Sequence, residues 1–222
     1  MDLLNKITKI FHNNDIYYWL DQGTVLRIYR DGAMPEHDDI DISIKSSEIK
    51  KVEQIIPEII EIGYRLRSCY YKNILFQLKF LPIINNKLMT IDIKIYYDSK
   101  KDFYWSIKKR IKIQKNSIIK KINYRVLKKW YWPSDEAHID KIPLSLVFTP
   151  LTWILPIEYI DSRVFYNNNF YIPCHIEKYL KFHFGDWRIA NNNWRSYRHD
   201  RAIIHKSPER FLNTSSLLKY IK

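Results

Sequence analysis

Residues 39–44 read Asp-Ile-Asp-Ile-Ser-Ile, a strict alternation of polar and branched apolar side chains. Side chains two apart on an extended chain project from the same face. The run therefore predicts a strand that buries Ile40, Ile42 and Ile44 and presents Asp39 and Asp41 together on its other side. Two carboxylates on one rigid face repel each other, and a divalent cation, which takes oxygen ligands, removes the conflict. A surface Asp-x-Asp is usually just solvated; here the isoleucines tie the pair to a buried layer, which makes Asp39 and Asp41 candidate metal ligands. Asp92, bracketed by Ile91 and Ile93, lies on a second predicted strand. If the two strands pair side by side, Asp92 completes a carboxylate cluster able to hold Mg2+ or Mn2+ against phosphate oxygens; on an edge it would only face water.

The surrounding pattern predicts a mixed α/β (α+β) core. Leu3, Leu4, Ile7, Ile10 and Phe11 fit one helical face over residues 2–13, and residues 16–20 fit a short buried strand. Thr24 is placed to cap a short helix that runs through Arg30 and ends near Gly32. Ser46 or Ser47 then caps a helix of about fifteen residues ending at Gly63, with Pro57 expected to kink or divide it. Strand-like runs follow at 64–71, 74–81 and 88–97, with Asn85-Asn86 as a turn between the last two. We read residues 1–105 as the core and 106–222 as a basic, Trp- and Pro-rich C-terminal part that completes the same domain. Within it, a second helix is expected from His175 to Phe184, closed by Gly185.

Upstream of the carboxylates, Gly23-Thr24 ends the first strand. With only 4 glycines in the chain, this one carries positional weight: it lets backbone N–H groups approach a phosphate, and the helix that follows adds positive potential. Arg30 can pair with phosphate oxygens or with its neighbour Asp31. His37, beside Asp38, can contact a metal or a donor phosphate or be a solvated loop residue. Gly23, Thr24, Arg30, His37 and Asp38 form the candidate donor-binding set.

In this order the residues resemble a known family. The segment Gly23 to Ile44 is similar to the signature of the LicD/fukutin-like proteins, within the polymerase-β-like nucleotidyltransferase superfamily, through Gly23, Thr24, Leu26, Arg30, Pro35 and Asp38-Asp39-Ile40-Asp41. Asp92 matches the family's later strand aspartate, and Pro173, Tyr179, Leu180, Gly185, Asp186 and Trp187 match its C-terminal block. The chain departs from the pattern at Glu36 and His37, where the family has Trp and Asp, and at Arg27, where a Gly is usual. The resemblance implies a nucleotidyltransferase-like mixed sheet flanked by helices, with Asp39, Asp41 and Asp92 as metal-holding catalytic residues. It implies transfer of phosphocholine or a polyol phosphate from a CDP-activated donor to a hydroxyl of a cell-surface glycan or lipid-linked glycan precursor, with CMP leaving.

The net charge of +13 suits an anionic partner but does not choose one. Residues 108–129 hold ten Lys or Arg and no acidic residue. Ile118, Ile122, Val126 and Trp130 fit a basic amphipathic helix, while Ile111 and Ile113 fit a strand better. The run is read first as a solvated face and next as a peripheral membrane contact; nucleic acid is not the expected partner. No stretch has the length of a membrane span or the build of a signal peptide, so a cytoplasmic location, at or near the inner membrane face, is the expectation. Two other functions compete: a nucleotidylyltransferase that moves NMP from an NTP to a small molecule, tRNA or protein, and a non-catalytic binding module, against which the three aspartates speak.

Overall fold

Leu4, Ile7, Thr8 and Phe11 recur at helical spacing, and α1 (Asp2–Asn13) buries all four. The structure is a computed structural model and describes residues 2–34, 39–83, 89–99, 103–111, 135–138, 148–167, 169–191 and 193–204. After α1 come β1 (Tyr18–Leu20), α2 (Gln22–Asp31), β2 (Ile40–Lys45), a 3-10 turn (Ser46–Glu48), α3 (Ile49–Glu61), and strands β3 (Tyr64–Tyr71), β4 (Ile74–Pro82), β5 (Ile91–Asp98) and β6 (Phe103–Ile111). The C-terminal part adds β7 (Glu136–His138), β8 (Phe148–Pro156), α4 (Ile157–Ile160), β9 (Arg163–Tyr166), β10 (Phe170–Pro173), α5 (Ile176–Phe184), α6 (Ser196–His199) and β11 (Ile203–Ile204).

Among the described residues nine strands form one mixed sheet, in which β11-β8-β6-β5-β4-β3-β7 are successive neighbours. β2 joins it by pairing parallel to β5 and antiparallel to β1. β5 is the hub: it is antiparallel to β4 over residues 91–94 and to β6 at Tyr97 and Asp98. Alternating isoleucines suit the hub: Ile91, Ile93 and Ile95, with Tyr96 after them, are all inaccessible to solvent. β3 and β4 close through Lys72-Asn73, both at positive φ (47° and 63°), the backbone of a tight hairpin that matches strand twist. β9 and β10 make a separate two-stranded hairpin. One apolar cluster includes Leu4 and Phe11 of α1, the isoleucines of β2 and β5, and Phe170, Tyr179 and Trp187 from the C-terminal part.

Three local expectations are corrected. The cap of α2 is Asp21, whose side chain accepts from the Gln22 N–H, not Thr24; the helix starts earlier because Gln22 takes a left-handed backbone (φ 48°). It does end on Gly32 in the left-handed region. Neither Ser46 nor Ser47 caps α3 through its side chain: both lie in the 3-10 turn that leads into the helix. α3 also runs unbroken through Pro57, which is exposed, so the carbonyl that loses its helical donor can be hydrated. Asn85-Asn86 and the amphipathic helix expected near 118–130 lie outside the described residues; Ile111 does end a strand. Among the described residues, no helix is long and apolar enough to cross a membrane.

Candidate active site

Three neighbouring strands assemble the site. In the parallel ladder Asp41 of β2 stands opposite Asp92 of β5, and in the antiparallel ladder Asp92 stands opposite Lys79 of β4. One row across the sheet therefore reads Asp41, Asp92, Lys79. The next same-face row, two residues on, reads Ser43, Lys94, Gln77. Asp39, just ahead of β2, shares with Asp41, Asp92, Lys79, Lys94 and Gln77 a cavity of about 330 Å3, whose other walls include Gly23, Trp153 and Trp194. The strand pairing on which Asp92 depended is thus present, and Asp39, Asp41 and Asp92 come to one place.

Lys79 is the cation of this row. Its Nζ lies 2.8 Å from Asp92 Oδ1 and 3.0 Å from Oδ2, and 3.4 Å from the Thr90 hydroxyl, which in turn donates to Asp39 Oδ1. Burial works against the ammonium, but Asp92, and beyond it Asp39 and Asp41, more than offset this and raise its pKa. Asp92 Oδ1 is buried, and among the described residues no hydrogen-bond donor is aligned on it, despite the nearby ammonium. The ammonium thus matches Asp92 directly and reaches Asp39 only through the Thr90 hydroxyl. Among the described residues no three of Asp, Glu, His or Cys are gathered closely enough to enclose an ion by themselves. A divalent ion here would need waters or substrate oxygens to complete its shell. Asp39 and Asp41 are the pair that could hold it.

Thr24 does not cap α2. Its hydroxyl, fully buried, donates to the Asp39 carbonyl (3.3 Å) and accepts from the Asp41 N–H (2.7 Å). It fixes the backbone that carries the two aspartates. Gly23 borders both the carboxylate cavity and an adjoining cleft of about 870 Å3. That cleft is lined by Arg27, Arg30 and Arg195 and by Trp187 and Trp194. Arg30 itself is tied to Asp31 (2.7 and 2.9 Å) and to the Trp187 carbonyl (3.2 Å), so its side chain edges the cleft while bridging α2 to the C-terminal block. His37 and Asp38 lie outside the described residues.

The largest feature that the sequence did not reveal lies beneath the cavity. Asp21, fully buried, accepts at Oδ2 from the Lys94 ammonium (2.9 Å) and the Ser43 hydroxyl (2.5 Å). At Oδ1 it accepts from the Gln22 N–H (2.7 Å) and the Tyr179 hydroxyl. Burial alone would raise its pKa; Lys94, His183 and the two hydroxyls overcome that and lower it to about 2. The same burial, with Asp21 beside it, pushes the Tyr179 phenol well up. His183, one helical turn after Tyr179, stands 3.0 Å from Gln22 Nε2 and 2.9 Å from Asp200 Oδ1, and Asp200 Oδ2 accepts from Trp153 Nε1 (3.1 Å). A buried polar network thus docks the C-terminal block on the Gly23 end of β1. Lys94 could have been found, since it shares the face of Asp92 two residues before it; Asp21 could not, because Asp21-Gln22-Gly23 reads as a loop.

The LicD/FKTN/FKRP nucleotidyltransferase domain matches residues 15–129, the stretch that carries Asp21, Gly23, Asp39, Asp41, Lys79 and Asp92. Two uncharacterized proteins are similar over shorter segments. One from Rickettsia typhi is 33% identical over 66 residues, 29% of this chain and 21% of that protein. One from Rickettsia prowazekii is 33% identical over 63 residues, 28% of this chain and 24% of that protein. The matches therefore span only about a quarter of those relatives' length or less. A crystal structure of the lincosamide antibiotic adenylyltransferase LnuA bound to lincomycin aligns over 82% of this chain and 84% of that one, at 17% identity and a TM-score of 0.43. With the family's domain covering more than half of the sequence, and its aspartates brought to one cavity, the chain belongs to the LicD/FKTN/FKRP nucleotidyltransferase-domain family.

Proposed function

We propose that this protein is a metal-dependent phosphotransferase that moves a phospho-substituent, phosphocholine or a polyol phosphate, from a CDP-activated donor to a hydroxyl of a cell-surface glycan or its lipid-linked precursor. The observation that carries the reading is the Asp41–Asp92 register, which sets two strand carboxylates side by side next to Asp39. Asp39 and Asp41 would hold Mg2+ or Mn2+, with Asp92 adding a third negative charge nearby. The bound ion would neutralise charge on the donor's phosphates and on the departing CMP. The arginines of the adjoining cleft suit the anionic part of such a donor, and its tryptophans offer faces for a base or a choline cation. Thr24 keeps the two aspartates in place, and the Asp21 network keeps the cleft's C-terminal wall on the core.

A nucleotidylyl transfer would use the same carboxylates and differ in what leaves: pyrophosphate from an NTP instead of CMP from a CDP-linked donor. The deciding experiment offers CDP-linked donors and NTPs with Mg2+ or Mn2+, follows thermal shift, and then measures CMP and pyrophosphate. CMP release that depends on the metal and an acceptor is the expected result. Pyrophosphate release with NTPs alone would replace this reading by the second, and neither product with any donor would leave a binding module.

Gly23 gives an independent check. It lies in the first turn of α2, its φ is not positive, and a Cβ there would meet only Asp41 Oδ2, at 3.7 Å. Gly23→Ala should leave stability unchanged or raise it by up to about 1 kcal/mol, as glycine is a poor helix former. If a phosphate approaches this backbone, the methyl group intrudes on it, and turnover should fall roughly tenfold, about 1.4 kcal/mol. Thermal melts and turnover on the same preparation separate the two effects; unchanged turnover would remove Gly23 from the donor site.

A further inference from the structure

The three aspartates bring three negative charges to one cavity, and the cations near them are not equivalent. Lys94 faces the cavity but is matched below it by Asp21, at 2.9 Å, and its Nζ rests 3.5 Å from the centre of the Trp153 ring. Lys79 is matched within the row itself. It is the direct cross-strand partner of Asp92, and its ammonium sits within 3.0 Å of both carboxylate oxygens. Such a pair is set by the ladder, not by the wandering of a surface lysine, and only 20% of the Lys79 side chain is exposed. Thr90 extends its reach towards Asp39, since the Thr90 hydroxyl lies 3.4 Å from Nζ and bonds Asp39 Oδ1.

Resting on the metal reading above, we infer that Lys79 is a built-in counter-cation: it keeps Asp92 for itself and restricts the site to one divalent ion, held by Asp39 and Asp41. With Lys79 counted, the row and Asp39 carry two net negative charges, which a single divalent ion cancels. A second ion at Asp92 would have to displace an ammonium that is partly buried and fixed by its strand. Lys79 is thus a positioning residue, holding Asp92 oriented while the ion and the donor come and go.

The test counts ions on the full-length chain without donor, by titrating Mn2+ and following both calorimetry and the free-ion electron paramagnetic resonance signal. Wild type and Lys79→Arg should each bind one Mn2+ per chain, and Lys79→Gln, which keeps a polar side chain but loses the charge, should bind two. Melts without metal should show Lys79→Gln below wild type, with Mn2+ raising it by more than it raises wild type. Two ions on wild type overturn the inference, as does one ion or none on a folded Lys79→Gln while wild type binds one. If Lys79→Gln does not fold, the wild-type and Lys79→Arg counts decide: one ion each supports the inference, and two on either overturns it. If neither wild type nor folded Lys79→Gln binds Mn2+, the metal reading falls as well, which distinguishes the two failures.

Discussion

Asp21→Asn is expected to destabilise the protein by about 3–5 kcal/mol, the usual cost of removing one partner from a buried ion pair. The Asp21 carboxylate has no solvent contact and takes four donors: the Lys94 ammonium, the Ser43 and Tyr179 hydroxyls, and the Gln22 N–H. An amide can accept at one atom only and must turn a donor toward groups that are themselves donors. Lys94, only 8% exposed, would lose the carboxylate it is paired with. The loss should appear in urea melts, and Lys94→Met in the same background should recover part of it, since the stranded charge is the larger penalty. The acid limb gives the same information without a mutation. Asp21 has its pKa depressed from 3.8 to about 2 on folding, so the stability it contributes is complete above the unfolded value and is lost as pH falls through 3.8 towards 2. That loss is about 2 kcal/mol for a shift of this size. Asp21→Asn should flatten the wild-type decline between roughly pH 5 and pH 2; an unchanged acid limb would show that Asp21 does not carry it.

This network marks the boundary of what the sequence could tell. Period-two alternation in residues 39–44 and 91–94 located both carboxylate strands, because burying isoleucine on one face dictates where the aspartates go. Helix α1 and the Gly32 and Gly185 termini were legible for equally local reasons: an apolar stripe in the first case, a positive φ in the others. Lys79 was not, since its role depends on which strand lies beside Asp92 and in what register, and pairing partners are set by the whole sheet. Thr24 was misjudged for a related reason. Its hydroxyl finds backbone partners fifteen and seventeen residues away, on β2, and these outcompete the local helix cap. Asp21 was hidden because a buried charge is stable only when several distant groups converge on it. The C-terminal helix stands far from Asp21 in sequence, and the Tyr179 hydroxyl bonded to Asp21 ties the two together.

Asp41→Asn should abolish metal-dependent turnover while leaving the fold intact. Two main-chain bonds of residue 41 survive the change: its N–H donates to Thr24 Oγ1 and its carbonyl accepts from the Asp21 N–H (3.0 Å), and asparagine retains both. The side chain shares its cavity with Asp39 and Asp92 but also with Lys79, so losing its charge gives up an attraction along with two repulsions. Under the proposed function, what is lost is a metal ligand. Charge stabilisation by a bound metal is worth several kcal/mol in the transition state, which at ~1.4 kcal/mol per factor of ten amounts to roughly a thousandfold or more in rate. Asp92→Asn makes the useful contrast, because it strands the Lys79 ammonium and should lower the melting temperature as well as the rate. Measuring Mn2+ binding, CMP release and thermal stability on both variants separates ligand loss from structural loss. If Asp41→Asn binds Mn2+ as wild type does and turns over at the wild-type rate, Asp41 is not a metal ligand and the two-aspartate site is wrong.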